Sequence, residues 1–164
     1  MWLIYGEPWE KYSLCAKKLS LTYIFFQLWV TGGESSDTYS NSSKQSIEIV
    51  DENGSHSSGS KLSWNFHKHC SIKLNQTHVI LTGGSPYPSK TLIINLNNSE
   101  MTRGPDFEVS KRDSHACSRL SHPNGTNYII VAGGYSDLDI LKSTEMLDVN
   151  NIRRGWYEGK IPTS

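Results

Sequence analysis

An almost all-β protein built from three similar units is what the sequence predicts, and three observations predict it. A run of apolar residues closing on paired glycines occurs three times: Phe25-Phe26-Gln27-Leu28-Trp29-Val30-Thr31-Gly32-Gly33, Val79-Ile80-Leu81-Thr82-Gly83-Gly84 and Ile129-Ile130-Val131-Ala132-Gly133-Gly134. The copies recur at roughly fifty residues, and self-similarity at a fixed period of that size marks a repeat architecture. Serine, threonine, asparagine and glycine are abundant while alanine is scarce, a composition that suits short strands joined by turns.

The Gly-Gly runs are too short for core helices and end abruptly, so they are expected as strands buried on both faces. Paired glycine at the end of such a strand permits positive φ and lets a neighbouring backbone approach where a Cβ would collide. Upstream, Leu14-Cys15-Ala16-Lys17-Lys18-Leu19 lines up with His69-Cys70-Ser71-Ile72-Lys73-Leu74 and with His115-Ala116-Cys117-Ser118-Arg119-Leu120, each read as the first strand of a unit. His122-Pro123-Asn124-Gly125-Thr126 is a hairpin turn by its Pro and Asn-Gly. Downstream, third strands are expected at Ser46 to Asp51, Thr91 to Leu96 and Thr144 to Val149. A fourth strand is expected to carry an aromatic: Trp64 in the first unit, the neighbourhood of Phe107 in the second, Trp156 in the third. The Ser/Gly-rich stretch from Asn53 to Ser60 reads as an insertion. Four strands per period is what one blade of a β-propeller requires.

The divisions that follow are 1–11 as the last strand of a preceding blade, 12–66 as the first unit, 67–113 as the second and 114–164 as the third. Gly6-Glu7-Pro8-Trp9-Glu10-Lys11 echoes Gly104-Pro105-Asp106-Phe107, hence the opening assignment. Three blades do not close a ring, since propellers need about 4 to 8. The expectation is therefore a fragment of a larger propeller, or self-association through the open blade faces.

Bulk properties exclude several classes. Lys+Arg and Asp+Glu are 16 each in 164 residues, formal net charge is zero, and no basic block gives an electrostatic footprint for nucleic acid. The apolar run from Leu19 to Val30 is too short to span a bilayer and is in phase with the other glycine strands. Cys15, Cys70 and Cys117 are odd in number and widely spaced without CxxC, so neither a disulfide framework nor a zinc site is indicated, and inert packing is expected.

These residues resemble the kelch repeat. The third unit carries the resemblance best, through Arg112-Asp113-Ser114-His115-Ala116-Cys117, Val131-Ala132-Gly133-Gly134-Tyr135, Ser143-Thr144-Glu145-Met146-Leu147-Asp148, Trp156 and Pro162. The second keeps His69, Gly83-Gly84 and Gly104-Pro105 but lacks the usual Glu and Trp; the first keeps Gly32-Gly33, Glu48, Asp51 and Trp64, with Leu14 in place of the histidine. The resemblance implies a kelch-type β-propeller of about three four-stranded antiparallel blades. It also implies that Gly32, Gly33, Gly83, Gly84, Gly133, Gly134, His69, His115, Trp64 and Trp156 hold structural positions, and that Tyr135 packs between blades.

Catalysis is not indicated. Glu48 and Asp51, like Glu145 and Asp148, stand at i and i+3, which on a strand point to opposite faces, so they form no general acid/base pair. Asp at the strand end is expected to accept backbone N–H groups of the following turn. His67-Lys68-His69 alternates two histidines but offers no third ligand, so no metal and no cofactor is expected. The functional expectation is a non-catalytic module presenting variable loops, Glu34 to Ser43, Ser85 to Lys90 and Tyr135 to Leu141, to a protein partner. Alternatives are a fragment of a copper enzyme resembling galactose oxidase, and an inactive gene fragment. Sequons at Asn41, Asn53, Asn75, Asn97 and Asn124 are candidate glycosylation sites; cytoplasmic and secreted locations both fit, and the sequons lean toward the second.

Overall fold

In the computed structural model the described residues are 13–15, 20–24, 27–33, 45–122, 125–137 and 139–159. They form an all-β chain of small antiparallel sheets. The first sheet is β1 (Ser13–Cys15), β2 (Ser20–Ile24), β3 (Gln27–Thr31), β4 (Ile47–Val50) and β5 (His56–Ser58), in sequence order. The second is β6 (Cys70–Lys73), β7 (His78–Thr82), β8 (Thr91–Asn95) and β9 (Met101–Arg103). The third begins with β10 (Ala116–Ser121) and β11 (Asn127–Ala132) and, after a two-stranded ribbon of β12 (Tyr135–Ser136) and β13 (Asp139–Ile140), continues with β14 (Thr144–Asp148) and β15 (Trp156–Glu158).

Register gives the equivalence between units. The residue before each Gly-Gly pair faces the first residue of the preceding strand: Thr31 opposite Ser20, Thr82 opposite Cys70, Ala132 opposite Ala116. The first unit's counterpart of Cys70 is therefore Ser20. The expected match through Leu14-Cys15 is corrected: Ser13–Cys15 is an extra edge strand on the far side of β2, with Cys15 opposite Ser20. The segment between Leu19 and the glycine strand holds a strand of its own, β2, which takes the place expected for Leu14-Cys15.

The fourth strand is corrected too. Trp156 lies on β15 opposite Leu147, but the equivalent positions are Met101 opposite Ile94 and His56 opposite Val50. Trp64 and Phe107 sit in the segments after the fourth strands, and the supposed insertion from Asn53 to Ser60 contains strand β5. A further glycine is in phase here: the amides of Gly59, Gly104 and Gly159 donate to the carbonyls of Ile47, Thr91 and Thr144, the first residues of the third strands.

Two cores lie between the three main sheets. Trp29, Ile47, Leu62 and Phe66 pack against Val79, Leu81, Leu92 and Ile94. On the other side of the second sheet, Ile72, Leu74, Ile80 and Phe107 pack against Ile129, Val131, Leu147 and Trp156. Successive side chains of a strand point to opposite faces, so Val79 and Leu81 serve one core while Ile80 serves the other. The expectation of burial on both faces holds for β7, where Val79 through Thr82 are all buried. In β3 and β11 burial alternates, because among the described residues each outer sheet has a main sheet on one face only.

Candidate functional site

The joints between sheets are built from the repeat residues. Gly83 and Gly84 have φ of 56° and 89°, the left-handed region where a side chain is strained. A Cβ on Gly83 would collide with the Arg112 carbonyl oxygen, and one on Gly84 would stand 2.6 Å from the His67 carbonyl oxygen. Space opened by the missing side chains admits the linkers on either side: the Gly84 amide donates to the Arg112 carbonyl at 2.9 Å, as Gly33 does to Phe66. Gly32, Gly33, Gly133 and Gly134 also have positive φ.

His69 and His115 cross these joints. The Nε2 of His69 lies 2.9 Å from Thr31 Oγ1 of the preceding unit, and that of His115 lies 2.9 Å from Thr82 Oγ1. Both rings are buried. Burial drops the His69 imidazole from 6.5 to about 3, with His67 adding repulsion. Burial does the same to His115, also about 3, with Arg112 and then His69 adding theirs. Both rings are neutral at pH 7 and act as hydrogen-bonding struts.

The second joint holds a buried ion pair. Arg112 and Glu145 are wholly buried and meet at 2.8 Å, Nη2 to Oε1. Arg112 Nη1 also donates to the carbonyls of Gly133 and Ser143, and the guanidinium lies 5.5 Å from the Phe107 ring centre. The Glu145 carboxylate accepts the amides of Glu108, Val109 and Ser110, each at 3.2 Å. Trp156 stacks edge-on to Phe107 with centroids 4.8 Å apart and donates Nε1–H to the Pro105 carbonyl. Register places Leu92 where Glu145 stands and Glu48 likewise. Phe66 takes the place of Arg112, since each carbonyl receives the second glycine amide of the unit before. The first joint thus substitutes an apolar pair, Phe66 and Leu92, for the ion pair of the second. Trp64 packs at its margin, 6.0 Å from Phe66 and 5.8 Å from Tyr87 between ring centres.

Cys70 and Cys117 form a disulfide with Cα atoms 6.1 Å apart, which corrects the expectation of unlinked, inert cysteines. The two are 47 residues apart, and only the packing of β6 beside β10 brings them together. Nothing in their spacing announces it. Cys70 and Cys117 are thereby committed to each other, so neither of these two is available for a thioether to tyrosine. Among the described residues no group of three His, Cys, Asp or Glu side chains could hold a metal ion, and no helix is long and apolar enough to cross a membrane.

The acidic strand ends accept turn amides: Asp51 Oδ1 from Asn53 and Ser55, Asp148 Oδ1 from Asn150, each within 2.9 Å. All turns of this kind lie at one end of the sheets, opposite the paired glycines. The glycine end carries the long connections. Glu34 to Ser43 lies outside the described residues, as do Asn41 and Asn124. Ser85 to Lys90 is tied down by Lys90 to Asp106 at 2.6 Å, and Tyr135 to Leu141 holds the β12–β13 ribbon. The large apolar side chains left exposed among the described residues are Tyr87, Val109, Tyr135, Ile140 and Leu120, the first four on the glycine-end connections. Tyr135, expected to pack between units, is 52% exposed.

Thr31, Thr82, Phe66 and the third glycine series escaped the reading of the sequence. A phase comparison could have shown them, since Thr31 and Thr82 precede their glycine pairs alike. No protein-family model matches the chain, and no curated protein matches it.

Proposed function

We propose that the chain is part of a kelch-type β-propeller and serves as a non-catalytic module that binds a protein partner through its glycine-end connections. What supports the architecture is the recurrence of one joint: positive-φ glycines, a buried histidine and a threonine of the neighbouring unit, in matching register at both interfaces. What carries the binding role is the exposure of Tyr135 at 52% and Ile140 at 72% on a short ribbon at that end. Aromatic and apolar side chains held out on a rigid scaffold are the usual anchors of protein interfaces.

Affinity capture with the full chain tests this, comparing wild type with the Tyr135→Ser/Ile140→Ser double variant and with Glu52→Ser at the opposite end. A partner bound by wild type and Glu52→Ser but lost with the double variant is the expected result. Equal capture by all three, with unchanged circular dichroism, would remove the binding role from this end.

A further inference from the structure

We propose that Asn53, Asn75 and Asn97 are acceptors of N-linked glycans, so that the chain matures in an oxidising secretory compartment and carries its sugars on the turn end. This goes beyond the partner-binding reading and does not rest on it. Asn53 lies in the β4–β5 turn, Asn75 in the β6–β7 turn and Asn97 in the β8–β9 turn. Each begins an Asn-x-Ser/Thr triplet, with Ser55, Thr77 and Ser99 as the hydroxyl residues. Antiparallel order puts the β6–β7 and β8–β9 turns at one end of their sheet. The β4–β5 turn shares that end, because the glycine corners of both units abut the same linker, Phe66 through His69.

All three asparagines are exposed. Asn75 Oδ1 accepts both the amide and the hydroxyl of Thr77, at 2.9 and 3.1 Å, which leaves its Nδ2 for reaction. These exposed tips lie at the end of the sheets opposite the ribbon that carries Tyr135 and Ile140. The independent observation is the Cys70–Cys117 disulfide, since structural disulfides persist where the medium is oxidising. In the transfer, the asparagine Nδ2 attacks C1 of a lipid-diphosphate-linked oligosaccharide. An N-glycosidic bond forms, the C1–O bond to diphosphate breaks, and the amide nitrogen gives up one proton.

Protein from its native source provides the test. Treatment with a peptide N-glycosidase should increase gel mobility and convert Asn53, Asn75 and Asn97 to Asp in peptide mass spectra, with Cys70 and Cys117 recovered as one linked peptide. In a eukaryotic secretory host, Ser55→Ala, Thr77→Ala and Ser99→Ala should each remove one mobility step, while Thr77→Ser keeps its step, separating acceptor loss from misfolding. Unmodified asparagine at all three positions in the native protein, or free thiols at Cys70 and Cys117, would overturn the inference. Either result leaves the partner-binding reading standing.

Discussion

His69 and His115 bring two imidazoles to the joints without charge, and that makes stability depend on pH. Their folded-state values near 3 lie below the ordinary 6.5, so between those limits the unfolded chain binds more protons than the folded one. The stabilisation is complete above pH 6.5 and is lost as pH falls toward 3, by up to about 1.4 kcal/mol per pH unit for each histidine. Denaturant midpoints measured from pH 7 to 4 should fall steadily, and His115→Gln should flatten that slope; an unaltered slope would mean the ring is protonated in the fold. The glycines make a second test at this scale. Gly54 has φ of 78° with nothing within 4 Å of a Cβ, so Gly54→Ala should cost only backbone strain, about 1 to 3 kcal/mol. Gly84→Ala adds the collision with His67 and His69, and its thermal midpoint should fall further than that of Gly54→Ala.

Joints between elements show two solutions to one packing problem. Phe66 with Leu92 and Arg112 with Glu145 occupy corresponding positions, and both residues change together. A buried ion pair is expensive to desolvate, and removing one partner strands the other, typically at about 3 to 5 kcal/mol. Glu145→Leu and Arg112→Phe should therefore each destabilise by that order. The double variant, which copies the first joint, should recover part of the loss, with a coupling of about 1 to 3 kcal/mol in a double-mutant cycle. Recovery stays partial because the amides of residues 108–110 lose their acceptor. The absence of Glu from the second unit reads in sequence as a weak match; in the fold it is compensated. Strands were legible because alternating burial and turn chemistry are local, as Thr91–Asn95 and Thr144–Asp148 show. The fourth strand His56–Ser58 was not, since three residues in a polar stretch carry no periodic signal and are held by pairing alone; Leu14-Cys15 was legible as strand, but not its place at the edge of the first sheet, which pairing with β2 decides.

At the scale of the molecule, the second sheet is enclosed and the outer two each keep a less covered face. Ile80 and Ile130 hold the same register position, yet Ile80 is fully buried against the third sheet while Ile130 is only partly covered. Ile80→Asp should prevent folding, whereas Ile130→Asp should leave circular dichroism and the unfolding transition close to wild type. An equal loss in both would mean that the face bearing Ile130 is as enclosed as the interior. The stacking was foreseeable from the glycine period, but the cross-link between sheets was not, because residues 47 apart meet only after the sheets have assembled.

That cross-link has a consequence for the fate of a nicked chain. Tryptic attack after the exposed Lys111, between Cys70 and Cys117, would sever the peptide and yet release nothing. The two pieces would migrate as one band on a gel run without thiol and part only when dithiothreitol is added, so damage at a surface loop would be survived as a covalent whole.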